Sequence, residues 1–346
     1  MKQNKIFIGS LSSFIEVDNK SQVSAAEQLE GLFTNYGISV LKNNAINGNK
    51  KTDFFRTLFL ALKNMNKLTI AILPLFGTRN SILWYRILAS LFGLCNKKIV
   101  CVVRGGSIPQ QLEKGETKFD EIFKKADAIV TPSRFIQQSL LKKNIEAVVI
   151  KNPIPISRYS FSKKEKARPH ILWMRSFHET YNPLMAVRVA SILAKKYDDF
   201  KMVMAGNDRG MIADTKSLAK KLNLENKILF PGYIDLQQKE TLADEYDIFI
   251  STNKIDNAPV SVIEFMALGL PVVAVNKGGI PFIVDDGQNG LLVNDDDDVQ
   301  MADKISSLIE NSSLYTAIRN YARQYAMQYD EDVIMKKWEE LFDKLA

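Results

Sequence analysis

Residues 251–284, STNKIDNAPVSVIEFMALGLPVVAVNKGGIPFIV, concentrate the side chains that can do chemistry. Asp256 stands in a polar loop after an apolar run, and Glu264 follows eight positions later in a helical stretch. A loop carboxylate and a helix carboxylate at the mouth of one strand can both accept hydrogen bonds from a polyhydroxylated ligand. Asn257, Ala258 and Pro259 open the helix, where backbone N–H groups and the helix dipole favour a phosphate. Pro259 carries no N–H and suits a first-turn position, so it uses none of those donors. Taken singly, Asp256 reads as an ordinary loop acid and Glu264 as a surface helix residue. Their pairing, followed by Gly269, Pro271, Gly278, Gly279 and Pro281, favours a binding site.

The elements that must hold these groups alternate between short β-rich apolar runs and amphipathic stretches, the pattern of parallel sheets covered by helices. In the front half the strand candidates are 5–8, 38–41, 68–73, 98–103, 128–131 and 147–150, with a helix near 23–33 whose Ser24 and Glu27 have capping-box spacing. The back half repeats the alternation at 171–174, 201–205, 227–230, 247–251, 271–275 and 290–293. Its helices start near Pro183, Ile212, Asp235 and Val260. Residues 152–168 hold prolines and a Ser/Lys run without periodicity, which places an interdomain linker there. The expected fold is α/β, with two Rossmann-like domains facing each other across a cleft. One covers 1–160 and the other 166–329, with a terminal helix at 330–346 returning to the first. That helix is amphipathic, with Val333, Ile334, Trp338, Leu341 and Leu345 on one face. The mixed apolar and basic stretch 72–98 reads as a core helix, with shallow membrane contact as the alternative.

A length of 346 residues suits two domains, and 46% hydrophobic with 25% charged residues excludes a disordered or fibrous chain. Cys95 and Cys101 lack disulfide or zinc spacing, so a reducing compartment is the default. The N-terminal residues lack a signal core, and no apolar run reaches the ~18 residues that span a bilayer, which reads as cytoplasmic. Charge divides unevenly: residues 1–164 carry net +14 and the remainder −7, within a total of +7. An anionic partner for the front half follows as an expectation. No nucleic-acid motif spacing appears, which leaves an anionic membrane surface, a lipid-linked substrate, or a basic surface with no partner. The run Asp295–Asp298 lacks the spacing of a calcium loop and reads as a helix-starting turn, so no metal is expected.

The stretch from Asp256 to Gly279 resembles the donor-binding signature of retaining GT-B glycosyltransferases of family 4, the group 1 class: two acids separated by seven residues, then Gly, Pro and a Gly-Gly pair. DAIVTPSRFIQQSLL, KNPIPISRYSF, ILWMRSF, MVMAGND, FPGYIDL and DIFIST are similar to the family's segments and occur in its order, from about 128 to 293. The resemblance implies transfer of a sugar from a nucleoside diphosphate sugar to a glycan or lipid-linked acceptor, with retention and without a metal or other cofactor. Glu264 would hold the ribose hydroxyls and Asp256 the transferred sugar. Arg175 would neutralise the diphosphate, a role suited to a guanidinium. Asn257, Ala258, Pro259 and Val260 would form the donor turn, Gly206 and Tyr233 would flank the base, and Gly9 would lie in the N-terminal loop.

The sequence also departs from the family pattern. Asp256 replaces the usual Glu and is a methylene shorter. Tyr181 or Asn182 stands where a lysine is expected, leaving that cation to Lys254 or Lys277. Arg104 replaces a histidine before Gly105 and Gly106; it cannot be a general base at neutral pH, but can bind a phosphate or form an ordinary loop contact. These departures keep two alternatives in view: a catalytically inactive glycosyltransferase-like subunit that binds a partner, and a nucleotide-sugar 2-epimerase.

Overall fold

The computed structural model describes residues 5–9, 25–42, 50–161 and 164–346. It divides into two units, Met1–Pro153 together with Glu331–Ala346, and Ile154–Asp330. Ser24 lies outside the described residues, so the capping box expected with Glu27 does too.

The first unit holds strands β1 (Lys5–Ile8), β2 (Ser39–Lys42), β3 (Ile70–Leu75), β4 (Lys98–Val103), β5 (Ala128–Thr131) and β6 (Val148–Val149). They form one parallel sheet in the order β2-β1-β3-β4-β5-β6. Its helices are α1 (Ala25–Asn35), α2 (Lys50–Asn64), α3 (Arg79–Leu94), α4 (Ile108–Glu113), α5 (Asp120–Lys124) and α6 (Arg134–Leu141). β3 starts two residues later than the pattern suggests and runs through Pro74, which is paired in register with Val102 of β4 beyond the end of the β1 ladder. A strand proline is tolerated where one side of the ladder has ended.

The second unit holds β7 (His170–Met174), β8 (Lys201–Ala205), β9 (Ile228–Gly232), β10 (Ile248–Ser251), β11 (Val272–Val275) and β12 (Leu291–Val293), parallel in the order β12-β11-β10-β7-β8-β9. Its helices are α7 (Pro183–Lys196), α8 (Ile212–Lys221), α9 (Leu236–Glu245), α10 (Val260–Leu268), α11 (Asp298–Glu310) and α12 (Ser312–Ala326); the chain ends in α13 (Glu331–Leu345). This order is that of a doubly wound dinucleotide-binding sheet, with its topological switch between β7 and β10.

Alternation along the strands explains the layering. Ile171, Trp173, Met202, Met204, Ile248 and Ile250 pack on one face, and Leu172, Val203, Ala205 and Phe249 on the other. Side chains that alternate across a pleat and are apolar on both sides require helices over both faces. α13 belongs to the first unit, where Trp338 meets Phe33 edge-on at 5.4 Å between ring centroids. Its buried face differs from the expected one. Ile334, Met335, Trp338, Leu341 and Phe342 are inside, whereas Val333 is exposed and Leu345 only partly covered.

The expected linker is also corrected. Ile154, Ile156 and Tyr159 are buried in the core of the second unit, and Lys164 forms a 2.8 Å ion pair with the buried Asp247. Prolines and a lysine-rich run signal an irregular path, and this path lies packed on its own unit from Ile154 onward. α3 buries Ile82, Trp84, Tyr85, Leu88 and Phe92, which makes it a core helix. Among the described residues, no helix is long and apolar enough to cross a membrane.

Candidate functional site

Four adjacent strands of the second unit, β10, β7, β8 and β9, end beside Asp256, Arg175, Gly206 and Tyr233 respectively. The sequence candidates thus collect at the carboxyl edge of one sheet, around its switch point, where ligands of such sheets sit.

Arg175 follows β7, and its backbone N–H donates to the Ala205 carbonyl at 3.1 Å. Its guanidinium pairs with the Asp256 carboxylate and lies over the Tyr181 ring at 4.9 Å. The Arg175 side chain is 23% exposed and that of Asp256 13%. Arg175 Nε is buried and has no hydrogen-bond partner. Burial lowers the arginine's proton affinity, and Tyr181 and Glu264 oppose that effect. Asn253 Nδ2 donates to the same Asp256 oxygen at 3.0 Å, which fixes the carboxylate from a second side.

Glycines bring these backbones together. A Cβ on Gly206, whose φ is +144°, would overlap the Arg175 carbonyl oxygen. The close approach expected there for a ligand is therefore made by the neighbouring loop, and it requires glycine. Gly279 N–H donates to the Asp256 carbonyl at 2.6 Å, and a Cβ on Gly279 would overlap the Asn257 carbonyl oxygen. The Gly-Gly pair thus clamps the Asp256–Asn257 turn that leads into α10.

Pro259 occupies the position before the first turn of α10, with φ −66° and ψ 108°, one residue earlier than expected. No side chain caps the helix there, and Asn257, Ala258 and Val260 are partly exposed around its start. Glu264 lies one turn further along α10. Lys239 Nζ donates to its two carboxylate oxygens at 2.8 and 2.9 Å, and Tyr159 OH donates to Oε1 at 2.9 Å. Glu264 is 12% exposed and Lys239 15%, so Glu264 is not a simple surface residue. Burial, then the Glu264 charge, raises the Tyr159 phenol well above its ordinary value.

Lys239 and Tyr159 are the site residues that the sequence did not expose. Lys239 sits on α9, whose start is fixed by the capping box of Asp235 and Gln238. That box marks where α9 begins, but which α9 side chains face α10 is set by packing, so no local signal pointed to Lys239. Of the two alternative cations, Lys277 pairs with Asp295, and the Lys254 backbone N–H donates to the Thr180 carbonyl. Asn182 caps α7 through Met185 N–H, with φ +48°, while Tyr181 serves as the platform beneath Arg175. The acidic turn is structural: Asp297 caps α11, and Asp296 and Asp298 pair with Arg188. Among the described residues, no group of three or more His, Cys, Asp or Glu is placed to hold a metal ion.

Gly9 and Arg104 belong to the first unit. A Cβ on Gly9 would meet Leu88 and Leu73 within 3 Å, so core packing accounts for this glycine. Arg104 donates to Asn152 Oδ1, and burial lowers its pKa to about 10. Gly105 lies against Phe76, whose carbonyl oxygen a Cβ there would overlap, which holds the Arg104 loop on the end of β3.

Comparison with known proteins bears on the family and the fold. Residues 156–325 match the family model "Glycosyl transferases group 1". The poly(ribitol-phosphate) alpha-N-acetylglucosaminyltransferase of Staphylococcus aureus is 30% identical over 164 residues, 46% of this chain and 32% of that one. An uncharacterized glycosyltransferase of Haemophilus influenzae is 29% identical over 154 residues, 44% of this chain and 42% of that one. The aligned region thus spans less than half the length of these relatives. Among solved structures, Anabaena HepE in complex with UDP superposes with TM-score 0.76 at 16% identity, covering 99% of this chain and 100% of HepE. Sucrose-phosphate synthase from Thermosynechococcus elongatus superposes with TM-score 0.77 at 14% identity, covering 99% of each chain. Residues 156–325 thus carry the glycosyl transferases group 1 domain, and the two units have the Rossmann-like domains of the GT-B fold.

Proposed function

We propose that the protein transfers a sugar from a nucleoside diphosphate sugar to a glycan or lipid-linked acceptor, with retention at the anomeric carbon, in the synthesis of a polysaccharide or glycoconjugate. The observation that carries this reading is the Arg175–Asp256 pair at the switch point, with its unsatisfied Nε donor and the start of α10 nearby. In the reaction the bond between the anomeric carbon and the diphosphate oxygen breaks, and negative charge develops on the leaving group. A partly buried guanidinium and the N-terminal dipole of α10 stabilise that charge, in a site where such interactions exceed their strength in water. Asp256, held by Asn253, then faces the sugar, and Glu264, held by Lys239 and Tyr159, accepts from the ribose hydroxyls. Side chains supply the cationic role, so turnover is proposed to need no metal. The UDP and glucose in a HepE structure, and the UDP and GlcNAc bound to the pneumococcal O-GlcNAc transferase, support a nucleotide-sugar donor.

Thermal-shift binding with nucleosides, nucleoside diphosphates and nucleotide sugars tests the site. Wild-type protein is expected to prefer one diphosphate over its nucleoside, and Arg175→Gln to lose that preference. Equal binding of nucleoside and diphosphate by wild type would contradict the phosphate role.

A further inference from the structure

The first unit carries a helix that leaves an apolar stripe exposed. α2 buries Thr57, Ala61 and, just past its end, Met65, while Phe55 is 67% exposed, Phe59 63% and Leu62 52%. A surface helix ordinarily turns its large apolar residues inward, and here Phe55, Phe59 and Leu62 are outside, opposite the buried Thr57, Ala61 and Met65. At 100° per residue Phe55, Phe59 and Leu62 fall on one stripe and Arg56 and Lys63 on the adjacent one, both exposed, with the exposed Lys67 in the 3-10 turn that follows the helix. The helix sequence holds four basic residues against one acid, Asp53. A contiguous exposed apolar stripe marks an interaction surface.

We propose that this face of α2 docks on an anionic lipid bilayer, with Phe55, Phe59 and Leu62 entering the headgroup region and Arg56, Lys63 and Lys67 meeting acidic headgroups. Charge complementarity selects this occupant: a protein patch would need matching acids around a hydrophobic centre, whereas a bilayer offers both a negative surface and an apolar layer along the whole helix. The net +14 of residues 1–164 adds long-range attraction of the same sign. Vesicle binding is read without any donor, so this docking role goes beyond sugar transfer and does not depend on it. It also differs from a purely electrostatic attachment, since aromatic insertion leaves a component that salt does not remove.

Flotation with phosphatidylcholine vesicles, with and without phosphatidylglycerol, tests it. The full chain is expected to float with the anionic vesicles only, and to keep part of its binding when salt is raised. Phe59→Ser/Leu62→Ser should lower the partition coefficient by about tenfold or more. Arg56→Gln/Lys63→Gln should lower it by about fivefold per charge at low salt. Leu229→Ser, an equally exposed apolar position in the second unit, should have no effect. A Phe59→Trp variant should add emission that shifts to the blue with anionic vesicles, which checks insertion without removing the apolar face. Unchanged partition in the Phe59/Leu62 variant, or an unshifted added emission in the Phe59→Trp variant, would overturn the proposal. So would lipid-free dimerisation that the Phe59/Leu62 variant abolishes, which would assign the face to a second copy.

Discussion

Replacing Lys239 by Met separates the two tasks of the Glu264 cluster. Lys239 reaches both carboxylate oxygens, at 2.8 and 2.9 Å, with both side chains mostly buried. Exposed ion pairs contribute about 0–1 kcal/mol, whereas breaking a buried pair costs about 3–5 kcal/mol. The remaining exposure and the retained Tyr159 hydrogen bond place this pair below the buried limit, at about 2–3 kcal/mol. For a unit of this size that corresponds to a fall in Tm of about 5–10 °C. Glu264→Gln has a different signature. The amide keeps the shape but loses charge-assisted acceptance from the ribose, about 1.5–3 kcal/mol, or roughly 10- to 150-fold in nucleoside diphosphate affinity. Urea titrations of both single variants and the double variant form a thermodynamic cycle, and calorimetry reads the binding. A coupling energy of about 1–3 kcal/mol is expected. Additive single effects, or unchanged nucleotide affinity in Glu264→Gln, would refute the assignment.

Gly206→Ala should destabilise the second unit by about 3 kcal/mol or more, because its Cβ would overlap the Arg175 carbonyl at a positive φ; a variant with wild-type urea midpoint would contradict this. Donor turnover should survive EDTA; loss on chelation and recovery with magnesium or manganese would transfer the diphosphate role to a metal. Lys151 has its pKa lowered to about 8 by burial and by the nearby Lys337 and Arg134. Folding therefore releases a proton between about pH 8 and the unfolded value of 10.5, so stability from this site rises with pH through that window, and the full penalty applies below it. Lys151→Met should thus gain more, relative to wild type, at neutral pH than near pH 10; a pH-independent difference in urea midpoints would rule this out.

Among the described residues all twelve strands are legible in the sequence to within about two residues, because in parallel sheets both faces are buried and the strands stand out as β-branched apolar runs. The carboxyl-edge cluster is legible for the same reason, since a loop after a buried strand opens at a known edge. Lys239 and Tyr159 are not, because they meet Glu264 across 25 and 105 residues, and only helix packing brings them there. The path from Ile154 to Arg168 misleads because Pro and Lys mark irregular backbone, which need not be exposed backbone. The outward stripe of α2 is hidden because Phe55, Leu58, Phe59 and Leu62 have the spacing of a core-facing stripe, and only the packed helix shows Thr57 and Ala61 facing inward. On α13 the buried arc is turned toward Met335 and Phe342, and Val333 falls outside it because it stands at the margin of the apolar stripe.

The most direct measurement is donor turnover by the full chain, followed by proton NMR of the released or transferred sugar across a panel of nucleoside diphosphate sugars. Expected is slow hydrolysis of one donor that accelerates with acceptor, yields sugar with its anomeric configuration retained, and is lost in Arg175→Gln. Nucleotide binding without turnover, a 2-epimerised product, or inverted configuration would contradict retaining sugar transfer.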